Sequence, residues 1–208
     1  MKRRQTHKTP LSGLQRLAQR VEAYRPPSGP FDYATRAQAM NDAREFFYEI
    51  VREGKRYYAD PKAESVTESA RRLYYAALDA ACPPGFWEEY QRLRAGDPAG
   101  LEVAVAFLEA DPWFQGSGYV KVKLVRHIKQ SMLTPGDVTR LQNVVLNMVE
   151  RRNGQEFHDY CRLARKVASP RLREQLARRL THDDPDIRRR TRWVLEALAQ
   201  KDKMEERA

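Results

Sequence analysis

Apolar residues recur at helical spacing along nearly the whole chain, and proline or glycine interrupts the pattern at short intervals. Separate apolar stripes occupy residues 11–24, 32–58 and 64–81. They are followed in turn by RPPSGP, by an Asp-Pro pair and by CPPG. Proline cannot continue a helix and disfavours one immediately before it. Helical periodicity with breaks of this kind predicts an all-α protein.

One segment, GYVKVKLVRHIKQSM at 118–132, also has a pattern typical of a strand. Its first half alternates apolar residues with lysine, which is the two-residue period of a β-strand. Val120, Leu124, Ile128 and Met132 nevertheless fall at helical spacing, and no other stretch predicts a strand that could pair with it. We therefore expect a helix here.

The turns beyond residue 97 predict a stack of helix pairs. Helices of about 12–18 residues are separated by short turns, several of which place a cap residue before proline. Short connections make neighbouring helices antiparallel. We expect antiparallel helix pairs stacked as a short α-solenoid at 96–200. The other expected parts are a basic arm, one amphipathic helix and a proline-rich linker at 1–30, a helical region at 31–95, and a charged tail at 201–208.

Two adjacent segments near the C-terminus resemble the helix pair of a HEAT repeat: SPRLREQLARRL (169–180) and DDPDIRRRTRWVLEALAQ (183–200). The second has Asp-Pro, an aliphatic residue two positions on, a basic run, and an apolar stripe with alanine near its end. The resemblance covers about 30 residues well and 97–200 loosely, and it implies HEAT-like repeat architecture. HEAT-like arrays bind proteins, DNA or RNA, so the resemblance leaves the partner open.

The segment RRRTRW at 188–193 combines four arginines with a tryptophan. If the segment is helical, four residues share one face: Ile187, Thr191, Val194 and Leu198. Arg189, Arg192 and Glu196 point the other way, and Trp193 lies at the edge of the apolar face. We expect the arginine run to stay outside the core and Trp193 to pack against the adjacent helix.

The net charge of +10 is unevenly distributed. Residues 1–30 have a net charge of +6, residues 31–150 have −2, and residues 151–200 have +6. Such asymmetry favours an acidic partner, namely nucleic acid, an anionic surface or an acidic protein. Arginine also simply solvates exposed helix faces, so charge alone does not choose among these explanations.

The candidate contacts to an acidic macromolecule are basic residues of the last three helices and of the N-terminal arm. They are Arg162, Arg165, Lys166, Arg173, Arg178, Arg179, Arg189 and Arg192, with Lys2, Arg3, Arg4 and Lys8 in the arm. A helix stack offers a smooth concave wall that suits contacts to the nucleic-acid backbone without base reading. We expect a non-catalytic scaffold that binds nucleic acid in this way.

Two other functions remain open. An adaptor or inhibitor-like module would bind an acidic protein through the same basic surface. An enzyme would have its site in the N-terminal half, which resembles no family. A concave strip of arginines would favour nucleic acid, whereas scattered arginines beside an exposed apolar patch would favour the adaptor.

No motif favours metal binding or catalysis. His158 and Cys161 have ligand-like spacing, with His127 and His182 completing a possible set. Structural zinc, however, is usually bound by four ligands in close pairs, and Cys161 fits an apolar stripe. No glycine-rich phosphate loop follows a strand. We expect neither a metal nor a small-molecule cofactor.

The sequence predicts a cytoplasmic protein with no membrane partner. No apolar run approaches the roughly 18 residues of a membrane span. The basic start MKRRQTHKTP is not followed by the apolar core of a secretory signal. The two cysteines lie far apart in sequence, which is typical of reduced intracellular thiols.

Overall fold

The computed structural model describes residues 12–25, 27–151, 154 and 156–205, and within these residues the chain is all-helical with no strand. The expected all-α class is confirmed. None of the described helices is long and apolar enough to cross a bilayer. The α-helices are α1 (Gly13–Ala23), α2 (Tyr33–Gly54), α3 (Pro61–Asp79), α4 (Phe86–Arg94), α5 (Leu101–Ala110), α6 (Ser117–Ile128), α7 (Pro135–Arg151), α8 (Phe157–Lys166), α9 (Pro170–Arg179) and α10 (Pro185–Glu205).

Proline opens helices here as well as separating them. The side chain of Asp60 accepts a hydrogen bond from the backbone N–H of Lys62, and Pro61 occupies the first turn of α3. This helix therefore begins three residues before the predicted start at residue 64, because proline at the first helical position has no N–H to leave unsatisfied. Ser169 caps α9 in the same way by accepting from the N–H of Leu172.

The segment with the ambiguous period is helical, as expected. It forms α6, whose buried face includes Leu124, Val125 and Ile128. The helix ends four residues before Met132, which is 92% exposed.

The chain divides into two compact units, residues 1–84 and residues 85–208. In the N-terminal unit α2 and α3 pack along each other and α1 contacts both. The core of this unit includes Leu17 and Val21 of α1, Ile50 of α2 and Ala70 of α3. Half-buried aromatic side chains pack around that core, so much of the ring surface of this unit remains accessible.

In the C-terminal unit most contacts join a helix to one neighbour or to the helix two places along the chain, and α7 also contacts α10. One series of contacts links α4 to α6, α6 to α8 and α8 to α10, and the other links α5 to α7 and α7 to α9. Contacts within the pairs α5 and α6, α7 and α8, and α9 and α10 join the two series. Phe107, Leu141, Leu163 and Val194 are among the buried side chains of this core.

The helical wheel of α10 is confirmed for its apolar face and wrong for one arginine. Ile187 is 6% exposed, and Thr191, Val194 and Leu198 are fully buried, whereas Arg189 and Arg192 are exposed. Arg190, expected outside the core with the rest of the run, is only 5% exposed. It is buried because its guanidinium donates to backbone carbonyls in the last turn of α7. Carbonyls at a helix end have no intrahelical donor, so a basic side chain satisfies them well.

A buried ion pair fixes the connection between α5 and α6. Lys121 is fully buried, and its ammonium group lies 2.5 Å from a carboxylate oxygen of Asp111. Arg151 lies 3.6 Å from the other carboxylate oxygen. Asp111 ends α5 in the left-handed region, with φ of 46°, which aspartate tolerates better than most residues.

Candidate anion-binding surface

Three successive helices of one contact series in the C-terminal unit end in basic residues. α4 has Arg94 in its last turn, α6 has Arg126 and His127, and α8 has Arg165 and Lys166. Arg94 and Arg126 interact electrostatically with His127, and Arg126 and Arg165 interact with Lys129. We define the basic strip by these interactions. It comprises four residues of the helix ends, Arg94, Arg126, His127 and Arg165, together with Lys129 directly after α6 and Arg162 within α8.

The first part of the basic strip lies where α4 meets α6. The ring of His127 contacts the ring of Tyr90 of α4 edge-on, with centroids 5.7 Å apart. Burial lowers the pKa of His127 below its ordinary value, and the positive charges of Arg94 and Arg126 lower it further. His127 is therefore neutral at pH 7, and the two arginines lie close enough to repel a charge placed there.

The second part of the basic strip lies where α6 meets α8. Burial lowers the pKa of Lys129 from its ordinary value, and Arg162, Arg126 and Arg165 lower it further by repulsion. Asp159 acts in the opposite direction and forms an ion pair with Arg162 at 3.1 Å. Cations from two helices are thus held together with one carboxylate among them.

The third part of the basic strip borders a cavity between α8 and α10. Arg165 donates a hydrogen bond of 3.2 Å to the side-chain oxygen of Gln200, which bridges the two helices. The cavity has a volume of about 250 Å³. We call it the α8–α10 cavity, and its lining residues are His158, Cys161, Arg162, Arg165, Trp193, Glu196, Ala197 and Gln200.

Trp193 is held in place by neighbours on both helices. Its ring contacts Phe157 edge-on at 5.8 Å and lies 6.5 Å from the ring of His158, with the two planes 32° apart. The guanidinium of Arg189 lies 5.5 Å from the centre of the tryptophan ring. The expectation that Trp193 packs against an adjacent helix is therefore confirmed, and that helix is α8.

The other expected contact residues of the C-terminal unit lie in different local settings. Arg178 pairs with Glu174 of its own helix at 2.6 Å, and Arg179 pairs with Glu150 of α7 at 2.6 Å and is only 19% exposed. Arg189 also pairs with Asp186 at 3.0 Å. Of the remaining three, Lys166 and Arg192 are exposed and Arg173 is half-buried.

The structure brings together two of the expected residues, Arg162 and Arg165, at the basic strip and the α8–α10 cavity. The expected contacts of the arm, Lys2, Arg3, Arg4 and Lys8, lie outside the described residues.

Sequence reasoning missed Arg94, Arg126 and Lys129 because they belong to a segment, 31–150, with a net charge of −2. The signal was their position rather than their number. Basic side chains close α4, α6 and α8 in turn, and helices of one contact series bring their ends together. Basic residues are also favourable at helix C-termini because of the helix dipole, so a basic last turn by itself would not have been decisive.

The described residues contain no group of three or more His, Cys, Asp or Glu side chains that could hold a metal ion. The cysteine in the α8–α10 cavity is not an activated nucleophile. Burial raises the pKa of the Cys161 thiol to about 11, so the thiol is protonated at neutral pH.

The basic strip thus combines four arginines, Lys129 and one neutral imidazole with the carboxylate of Asp159, and Glu196 lies at the adjoining cavity. Comparisons with protein-family models, with curated protein sequences and with solved structures found no match for this chain.

Proposed function

We propose that the C-terminal unit is a short HEAT-like α-solenoid that binds an acidic macromolecule without catalysis, and that this partner is nucleic acid held through its backbone. The observation that carries the proposal is the basic strip. It supports an anionic partner because its cations repel one another in the free protein, and a bound polyanion would relieve that repulsion.

The architecture supports the solenoid part of the proposal. In a stack of helix pairs, each helix contacts its partner and the equivalent helix of the next pair. The two contact series described above, α4–α6–α8–α10 and α5–α7–α9, have this pattern. Equivalent helix ends then lie side by side, which is how residues from three helices come to share one surface.

The chemistry supports backbone contacts. Arginine and lysine account for five of the six members of the basic strip, and they neutralise phosphates without regard to sequence. Arg162 remains about half exposed even while paired with Asp159, so its remaining donors are available to a ligand. Arg94 and Arg126 are exposed as well.

The test is binding of fluorescently labelled DNA and RNA, measured by anisotropy over a series of salt concentrations. Each phosphate contact adds about 0.9 to the log–log salt slope on duplex DNA and about 0.7 on a single strand. Changing Arg94, Arg126 and Arg162 to glutamate should weaken binding at every sequence and lower the slope by about two to three.

A matched control has the same change in charge elsewhere. Lys62, Arg71 and Arg72 are exposed on α3, and Arg71 forms an i,i+3 ion pair with Glu68 just as Arg162 does with Asp159. Changing these three residues to glutamate should leave affinity close to that of the wild type. Equal losses in the two triple variants would mean that net charge alone causes binding, and would remove the basic strip from the proposal.

A protein partner is the second candidate, favoured by exposed aromatic side chains of the C-terminal unit. Trp113, in the connection before α6, is 65% exposed, and Tyr119, in the first turn of α6, is 72% exposed. Large exposed aromatics are enriched in protein interfaces. If the wild-type protein does not bind DNA or RNA at low salt, an acidic protein becomes the proposed partner.

A further inference from the structure

The α8–α10 cavity has a composition that simple anion binding does not require. A site for phosphate alone needs cations and backbone N–H groups, and a carboxylate at its edge is unfavourable. This cavity instead combines two arginines, two aromatic rings, a glutamate and a glutamine. Its volume of about 250 Å³ is just below the range of roughly 300–1,000 Å³ typical of pockets that enclose a whole small molecule. It therefore suits a single flat ring rather than a larger ligand.

The aromatic wall of the cavity is formed by Trp193 and His158. Their planes differ by 32°, and Phe157 and Arg189 hold the tryptophan from other directions. His158 is exposed and Trp193 is half-buried, so ring surface is accessible from the cavity. A fixed aromatic surface stacks on any base, which contributes about 1–3 kcal/mol for each base.

The polar wall offers both donors and acceptors. The buried Nε of Arg165 has no hydrogen-bond partner among the described residues, while another nitrogen of the same guanidinium donates to Gln200. The carboxylate of Glu196 can only accept. A nucleobase presents donors and acceptors in the plane of its ring, so it can satisfy both Arg165 and Glu196. A phosphodiester or a sulfate has acceptors only, and Glu196 would repel it.

The basic strip continues directly from this cavity. Arg162 and Arg165 line the cavity and also interact electrostatically with Lys129 at the end of α6. A chain whose base enters the cavity would have its neighbouring phosphates close to Arg162 and Arg165, the two members of the basic strip that line it. Bases in a duplex are paired and stacked, whereas a single strand offers its bases to such a site.

We propose that the α8–α10 cavity holds one unpaired base of a single-stranded nucleic acid, stacked on Trp193, while the basic strip holds the adjacent phosphates. This inference rests on the proposed function and specifies its substrate class: single strands over duplexes. Trp193, Arg165 and Glu196 select the base, and the remaining cations supply affinity that is independent of sequence.

The decisive experiment varies the ligand rather than the protein, so folding of a variant does not affect it. The full chain is titrated at fixed salt with a 12-nucleotide DNA strand, the RNA of the same sequence, the DNA duplex, and a strand in which every base is replaced by an abasic linker. The normal single strands should bind at least about fivefold more tightly than the abasic strand, as expected for one stacked base. They should also bind more tightly than the duplex.

Protein variants then locate the effect. Trp193→Leu should make normal and abasic strands bind equally, and Trp193→Phe should keep most of the difference because a flat ring remains. Glu196→Ala, at an exposed position, should reduce the preference without weakening abasic binding. A preference that survives in Trp193→Leu, with its fold confirmed by circular dichroism, would overturn the proposed site.

The outcomes separate the two proposals. Equal binding of normal, abasic and duplex ligands would overturn the base site and leave the polyanion function standing. Failure of every one of these ligands to bind at low salt would overturn both. A preference for the duplex over the single strand would also overturn the base site, because paired bases cannot enter the cavity.

Discussion

The Nε atom of Arg190 in α10 donates a 2.6 Å hydrogen bond to the backbone carbonyl of Val149 in the last turn of α7, 41 residues earlier in the chain. A second nitrogen of the same guanidinium lies 3.3 Å from the carbonyl of Glu150. A charged side chain of α10 thus donates hydrogen bonds to backbone carbonyls at the end of α7. The basic run of α10 therefore has two roles, since Arg189 and Arg192 face solvent while Arg190 belongs to the core.

Replacing Arg190 with methionine should lower the free energy of unfolding by about 2–3 kcal/mol, because hydrogen bonds from a charged donor are lost and the buried carbonyl of Val149 is left without this donor. Arg189→Met is the matched control next to it in sequence. Arg189 is half exposed, so that change should reduce stability by about 1 kcal/mol or less. Urea denaturation of both variants checks this, and equal losses would show that Arg190 contributes no more than a surface residue.

Leu198→Ala should destabilise the protein by about 2–5 kcal/mol, because the side chain is fully buried and its removal leaves a cavity. Leu180, at the end of α9, is 37% exposed, so the same substitution there should have a much smaller effect. Thermal unfolding of the two variants side by side measures the difference. A larger loss at Leu180 would contradict the orientation of α10.

Lys121→Met should destabilise the protein by about 3–5 kcal/mol, because it leaves the carboxylate of Asp111 buried without its closest partner. Adding Asp111→Asn should recover much of that loss, since asparagine is uncharged and tolerates a φ of 46°. Denaturant unfolding of both single variants and the double variant gives the coupling energy. Additive effects would mean that the two groups do not interact.

His127 should titrate below its unfolded-state pKa of about 6.5, because burial and two arginines disfavour its charged form. The unfolded chain then binds more protons, so this group destabilises the fold as the pH falls below about 6.5. NMR titration gives the pKa, and His127→Gln should flatten the dependence of stability on pH in that window. A bound polyanion should raise the His127 pKa, and an unchanged value in its presence would place the ligand elsewhere.

Both thiols should react slowly in the native protein. Burial raises the pKa of Cys82 to about 12 and that of Cys161 to about 11, against about 8.5 in an unfolded chain. The native state therefore holds its protons at pH 8, and stability from these groups declines as the pH rises above about 8.5. A disulfide reagent such as DTNB should label both thiols rapidly in denaturant only. Rapid labelling of one thiol in the folded protein would show that it is accessible.

The helices were predictable because their signals are local. The spacing of Ile187, Val194 and Leu198 already identifies the buried face of α10, and Asp-Pro and Ser-Pro pairs identify helix starts. Arg190 also lies three residues after Ile187 and four before Val194, so the same spacing places it beside that face. Its charge argued against burial, and only the carbonyls of a distant helix explain it.

The candidate site was less predictable because it depends on which helix ends meet. Arg94, Arg126 and Arg162 lie 32 and 36 positions apart, in segments of different net charge. No local pattern relates them, and contacts between α4, α6 and α8 are needed before they become neighbours. Trp193 was recognised from the sequence, but its cavity requires the side chains of α8 opposite it.

The arginines that α4, α6 and α8 contribute to the exposed part of the basic strip, Arg94, Arg126 and Arg162, lie outside the hydrophobic interior. Surface charge and interior packing can therefore change by separate mutations. A lineage could add or lose one arginine at a time and adjust its attraction for an acidic partner in small steps, without passing through unstable intermediates. Arg190 lacks this freedom, because it is buried and its loss would destabilise the fold without changing the exposed charge.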